Sequence, residues 1–303
     1  MCFSLINSNR AAKIFFLILA VCSLIGSGQI AQAGEYRQAD INAMIQRLSD
    51  PDPYERKSGA YRLSETGPLA KPAIAKLIEL LKDPVAQGES ANALGKIGPE
   101  SKEAIPALIV YLQDTKAGYD RCYAVQALGQ IKQEPELVVP VLLQAMQEDT
   151  EPVIRRSAAS ALGNFGSGAA QAVPALVKAI KDGDKDMRQA AAESLGMIGG
   201  NVSDIPKISE LLTDECDVAR QGASLALGHI GEEAVSTVPT LVKLLDDQAR
   251  DVRAAAAQAL GNISGREEPV LTALHKAEKD PDSIVGSQAR EAIEKIKKSK
   301  LKY

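Results

Sequence analysis

From about residue 39 onward the apolar positions repeat on two scales. Locally they fall three and four residues apart, the spacing of one helix face. Over longer distances the same pattern returns about every 33 residues, so an internal repeat governs the chain. Pro72, Pro106, Pro140, Pro174, Pro206 and Pro239 recur at intervals of 34, 34, 34, 32 and 33. A marker of a small residue followed by Leu-Gly keeps step with them, at Ala93-Leu94-Gly95, Ala127-Leu128-Gly129, Ala161-Leu162-Gly163, Ser194-Leu195-Gly196, Ala226-Leu227-Gly228 and Ala259-Leu260-Gly261. Carried outward, the register puts Leu63 and Ile293 at the marker position and gives eight units, at about 39–71, 72–105, 106–139, 140–173, 174–205, 206–238, 239–268 and 269–298, before a basic tail at 299–303.

The seventh unit shows what each contains. Pro239 suits a first helical turn, where its missing N–H costs nothing, and Leu241, Val242, Leu244 and Leu245 form one apolar face. Asp246-Asp247-Gln248 breaks that helix, and Val252, Ala256, Leu260 and Ile263 stripe a second one. Glycines such as Gly228 and Gly231 are expected to mark the end of the second helix. Helices this short are marginal alone, so each pair must bury its stripe against the neighbouring pairs. The pattern therefore predicts an all-α solenoid of about eight helical hairpins.

Asp251 to Gly261 reads DVRAAAAQALG. It resembles the Asp-x-Val-Arg-x-x-Ala-Ala-x-Ala-Leu-Gly signature of HEAT repeats of the phycobilisome-lyase-like class, and the resemblance extends over all eight units. It implies a right-handed α-α superhelix of the HEAT/ARM kind, specific as a fold but not as an activity. It also implies a ladder between an aspartate in the turn of each hairpin and an arginine six residues on: Asp50 with Arg56, Asp149 with Arg155, Asp182 with Arg188, Asp214 with Arg220, and Asp247 with Arg253. The ladder is expected to be interrupted in the second unit (Asp83, Gln87), the third (Asp114 and Arg121, seven apart) and the last (Asp280, Gly286). Such carboxylates cap helix N–H groups while accepting from guanidinium forks, a structural role. An anion-binding row would instead require unpaired arginines.

The first 33 residues differ from the rest and read as a signal peptide. Arg10 and Lys13 form a positive n-region, Ile14 to Ile25 is an apolar run too short for a comfortable membrane span, and Ala31-Gln32-Ala33 supplies small residues for cleavage before Gly34. Leu19-Ala20-Val21-Cys22 also approaches a lipobox, although Val21 is larger than the residue expected before the cysteine. Either way the expected destination is periplasmic or extracellular. Cleavage leaves 33 of the 35 basic residues against 39 acidic ones, net −6, which argues against a nucleic-acid partner. Only Cys122 and Cys216 remain, three repeats apart and too far for a disulfide.

If the second helices line the concave side, as the resemblance implies, the outward positions lie six and two residues before the marker leucine and two after it. Across the middle units that stripe is Cys122, Gln126, Gln130, Arg156, Ser160, Asn164, Gln189, Glu193, Met197, Gln221, Leu225, His229, Gln258 and Asn262. Rich in amides and nearly uncharged, it suits an extended peptide or a protein edge.

Catalytic chemistry is hard to place. The chain has two histidines, His229 and His275, followed by Ile230 and Lys276, and no His-Glu dipeptide of the kind that holds iron in HEAT-like deoxyhypusine hydroxylase. A bilin lyase, the other enzymatic relative, would work in the cytoplasm, against the signal peptide. Cys122 lacks a histidine on its stripe, and the glycines fit no phosphate loop. At the ends, Arg62 and Ser64 replace the small residue and glycine of the marker, and the last unit is lysine-rich, as capping repeats require. The sequence thus points to an exported, non-catalytic protein-binding scaffold without metal or cofactor.

Overall fold

The computed structural model describes residues 38–263 and 268–300, which form sixteen α-helices and no strand. The expected signal peptide and its expected cleavage point, Cys22 and the last three residues lie outside the described residues. The helices fall into eight hairpins: α1 (Gln38–Arg47) with α2 (Pro53–Thr66), α3 (Ile74–Leu80) with α4 (Gln87–Ile97), α5 (Ile105–Gln113) with α6 (Arg121–Ile131), and α7 (Pro135–Glu148) with α8 (Pro152–Gly163). Then come α9 (Val173–Asp182) with α10 (Lys185–Ile198), α11 (Ile205–Glu210) with α12 (Asp217–Ile230), α13 (Val238–Leu244) with α14 (Arg250–Ile263), and α15 (Glu268–Ala277) with α16 (Ser283–Lys300). No helix among the described residues is long and apolar enough to cross a membrane.

Local chemistry sets the helix boundaries. Pro106, Pro174, Pro206 and Pro239 sit in the first turn of α5, α9, α11 and α13. Gly67, Gly98, Gly199 and Gly231 end α2, α4, α10 and α12 at positive φ, which a side chain would resist. Two expectations need correction here. Pro140 lies inside α7, because Pro135 already supplies the proline-led first turn five residues earlier. Gly228 lies within α12, two residues before its end, so the terminating glycine is Gly231 alone.

The marker residues Leu63, Leu94, Leu128, Leu162, Leu195, Leu227, Leu260 and Ile293 are all buried, and they share one continuous core with Leu77, Leu108, Leu142, Leu176, Ile208, Leu241 and Leu274 of the first helices. Each fully buried leucine contributes roughly 1.5–3 kcal/mol. The two layers differ in closeness. Successive second helices, from α2 to α16, pack closely along the whole array, whereas successive first helices barely touch.

Marker glycines explain the close approach. A Cβ on Gly129 would lie 2.9 Å from the Ala161 Cβ, and one on Gly261 would lie 2.7 Å from the Ala292 Cα, so these helices meet backbone to backbone. Closer spacing in one layer than in the other bends the stack and places the second helices on the inner side of the curve.

The hairpin-to-hairpin connections are not equally relaxed. Between α6 and α7 the backbone turns through Lys132 (φ 54°) and Glu134 (φ 52°), both left-handed without being glycine. Lys132 is exposed and ends α6. Relief of this strain is expected to make Lys132→Gly about 1 kcal/mol more stable, read as a rise of roughly 2–4 °C in thermal midpoint for a chain of this length.

The ends also depart from a simple polar cap. Arg62 is exposed, but Ser64 is buried and donates its hydroxyl to the Tyr61 carbonyl at 2.6 Å, so it serves the helix interior rather than the surface. At the other end Lys295, Lys297 and Lys298 are exposed on α16, which continues as helix to Lys300.

Candidate functional site: the inner face and its arginine ladder

Every predicted stripe residue is half-buried or exposed, as positions between packed faces must be. Cys122, Gln130, Arg156, Gln221, Leu225, Gln258 and Asn262 are half-buried, whereas Gln126, Ser160, Asn164, Gln189, Glu193, Met197 and His229 are exposed. Seven of them converge. Gln126 and Gln130 of α6, Arg156, Ser160 and Asn164 of α8, and Gln189 and Glu193 of α10 line one groove of about 500 Å³, open to solvent. Cys122 of α6 and Met197 of α10 lie outside it, as do the stripe residues of α12 and α14.

Ser157, Ala161, Asp186 and Ala190 complete the lining, and Asp186 matters most among them. Its carboxylate accepts from Arg156 Nη1 at 2.8 Å across the hairpin boundary. Only the residue separation of 30, about one repeat less one helical turn, hinted at that pair. Gln189 donates to Glu193 at 3.0 Å, so this part of the wall is already organised by its own bonds. Several side chains two residues past the marker leucine also have a packing task. Gln130 lies over Gly95, Asn164 over Gly129 and Met197 over Gly163, each closing the gap above the glycine of the preceding hairpin.

Cys122 and Cys216 are half-buried thiols. Burial, with the nearby Asp120 charge, pushes the Cys122 thiol up, which disfavours the reactive thiolate. His229 is exposed, and His275 Nδ1 lies 2.8 Å from a Glu278 carboxylate oxygen. Among the described residues no group of three His, Cys, Asp or Glu side chains is arranged to hold a metal ion.

The ladder has a different wiring from the one its spacing suggests. Arginine does not pair with the side chain six residues before it. Arg56 Nη1 donates to the main-chain carbonyl of Asp50 at 2.7 Å, and its Nε goes to Asp83 Oδ2, 27 residues on, at 2.7 Å. Arg220 repeats this with the Asp214 carbonyl and the Asp247 carboxylate, and Arg253 with the Asp247 carbonyl and the Asp280 carboxylate. Each guanidinium thus ties its own turn with one edge and the next hairpin with the other. Each aspartate also caps a backbone N–H two residues on, as Asp83 does for Val85 and Asp247 for Ala249.

Because the bonds cross hairpins, the expected interruptions move. Asp83 and Asp280 have partners despite Gln87 and Gly286, and Arg121 makes a two-pronged bond to Asp149 at 2.6 and 3.0 Å although Asp114 is seven residues away. The described ladder lacks a rung between the second and third hairpins, where Gln87 offers no cation, and between the fourth and fifth. There Arg155 donates to the carbonyls of Asp149 and Thr150 but meets no carboxylate, and Arg188 reaches forward to Asp214 at 2.8 Å while its Nε is buried without a partner.

For Asp247 and Asp83 burial raises the carboxyl pKa, but hydrogen bonds from arginine and from the following turn outweigh it, and for Asp280 the Arg253 hydrogen bond is the largest influence. All three sit below the ordinary value of 3.8. A depressed folded value contributes stability that is complete above the unfolded value and is lost as the pH falls through the folded one. The urea midpoint is therefore expected to hold from neutrality to about pH 5 and to drop steadily below about pH 4. A midpoint unchanged down to pH 2.5 would contradict the rungs.

Comparison with known proteins agrees with this architecture. The profile of HEAT repeats matches residues 41–129, 74–163, 105–196, 139–223 and 205–294 in overlapping windows. The crystal structure of an engineered protein is 26% identical and superposes with a TM-score of 0.58 over 85% of this chain and 78% of its own. Human deoxyhypusine hydroxylase in complex with glycerol is 24% identical over 89% of this chain and 99% of its own, with a TM-score of 0.37, a likeness that carries no weight for function. A search of curated sequences gives no significant match. With repeat profiles spanning residues 41–294 and a continuous core of eight hairpins, the chain belongs to the HEAT-repeat family.

Proposed function

We propose that this chain is an exported, non-catalytic scaffold that holds a partner protein along the inner face of its solenoid. The observation that carries the reading is the groove across α6, α8 and α10, which gathers amide and hydroxyl side chains from three hairpins around the Arg156–Asp186 pair. Amides both donate and accept, so a row of them complements the alternating N–H and C=O groups of an extended backbone. The signal peptide supports export, and with it the periplasm or the exterior as the place of binding.

Photo-crosslinkers placed at Gln126 and Gln189, and at Val110 on α5 as an outer control, test the reading in the native envelope. Discrete products are expected from the inner positions, and they should disappear on combined Gln189→Ala, Glu193→Ala and Gln221→Ala replacement. Products from Val110 alone, or binding unchanged by the triple variant, would remove the inner-face reading. N-terminal sequencing of the exported form is expected to begin at Gly34, and a diacylated Cys22 would replace that terminus. Stoichiometric iron or a visible chromophore in the purified protein would favour a hydroxylase-like or lyase-like enzyme instead.

A further inference from the structure

The junction between the fourth and fifth hairpins breaks a rule that the rest of the ladder keeps. Arg56, Arg121, Arg188, Arg220 and Arg253 each place their guanidinium on an aspartate carboxylate of the next hairpin. Arg155 makes the same inward bonds, from Nη1 to the carbonyls of Asp149 and Thr150, yet its Nε and Nη2 edge meets no carboxylate.

The cause is local. Asp182, the aspartate that should face Arg155, is the last helical residue of α9 and is exposed. Asp149 and Asp214, its counterparts, lie just past their helices in extended backbone. Gly183 permits the extra helical residue, since a Cβ there would come within 2.5 Å of the Ala179 carbonyl oxygen. The next rung is irregular as well: Arg188 reaches Asp214 through Nη2, and its buried Nε has no partner.

Arg155 lines a groove of about 440 Å³ with Arg156, Lys178, Met146 and Met187. The acidic groups on it are Asp182 and Asp184. Asp184 is engaged in capping the Met187 N–H, and the neighbouring Asp186 holds Arg156. Lys178 is exposed, so two cationic side chains without carboxylate partners, Arg155 and Lys178, share the groove.

We infer that this junction is a carboxylate-binding site, in which the outer edge of Arg155 takes an acidic side chain of a partner protein where its five sister arginines take the aspartate of the next hairpin. A guanidinium fork suits a carboxylate through two parallel bonds, and the methionine walls suit the carbon stem that carries it. The inference does not depend on the inner groove: the two sites lie on either side of Arg156, and each can fail alone.

The test uses the full chain and a hexaglutamate peptide blocked at both ends, with hexaglutamine as the uncharged control. Hexaglutamate, and not hexaglutamine, is expected to bind and to shift the Arg155 Nε–Hε resonance, assigned through Arg155→Lys. Arg155→Ala and Arg155→Lys should each weaken binding about ten-fold or more, the size of a lost charge-assisted bond, and the lysine variant keeps the test valid if the alanine variant misfolds. Arg250→Ala removes an exposed cation elsewhere and is expected to change binding less than about two-fold. Binding unaffected by Arg155→Lys would overturn the inference. So would a wild-type chain that does not bind while the Asp182→Asn variant does, which would make Asp182 the partner in solution, or inorganic phosphate matching the peptide at equal concentration.

Discussion

Asp149→Ala is expected to lower the free energy of unfolding by about 3–4 kcal/mol, the largest loss from any single rung. Asp149 accepts two bonds from Arg121 and a third from the Glu151 N–H. The Arg121 side chain is only 4% exposed, so removing the carboxylate strands a charge that water cannot reach. Urea titration of the variant, with Asp246→Ala as reference, measures the difference. Asp246 pairs with Lys276 in full solvent contact, 68% and 71% exposed, and its removal should cost less than about 1 kcal/mol. Replacing both Arg121 and Asp149 with apolar residues of similar size should recover most of the loss, because no charge is then left buried. A single-variant loss below 1 kcal/mol would show that the rung is solvated.

Gly129→Val is expected to destabilise by about 2–3 kcal/mol, even though valine has the better intrinsic helix propensity. The gain in propensity is a few tenths of a kcal/mol. Against it stands a Cβ 2.9 Å from the Ala161 Cβ and 3.2 Å from the Ala161 Cα, contacts that only a shift of α8 away from α6 can relieve. The same Cβ would press on Asn164 Nδ2 at 3.1 Å, so the inner groove should deform with the core. A thermal midpoint within 2 °C of the parent would mean that the layers are looser than their spacing implies.

Fold and site were legible to different depths. The prolines and the Leu-Gly marker carry the repeat because both report backbone constraints, a first turn without an N–H and a helix crossing without a Cβ, that appear directly as residue type. Pro140 misled because the chain supplies a second proline, Pro135, that starts the helix first. The ladder was legible in its residues and not in its bonds. A separation of six within one hairpin looks like a pair, but the atom that lies at that separation is a carbonyl oxygen, which the sequence does not distinguish from any other. The carboxylate partner sits 26 to 28 residues on, at a distance set by how the hairpins stack. The inner stripe was legible as a face, since offsets of four follow from helix geometry alone. Which seven residues converge on one groove depends on the curvature that the close packing of second helices produces.

The direction of the rungs has a thermodynamic consequence. Every described rung joins one hairpin to the following one, so stability is handed along the array as a series of nearest-neighbour couplings. With no rung at the second or the fourth junction, the eight hairpins divide into runs of two, two and four. Denaturant should therefore loosen the array first at these two junctions, where packing alone joins the ladder's segments, the four-hairpin run at the C-terminal end persisting longest.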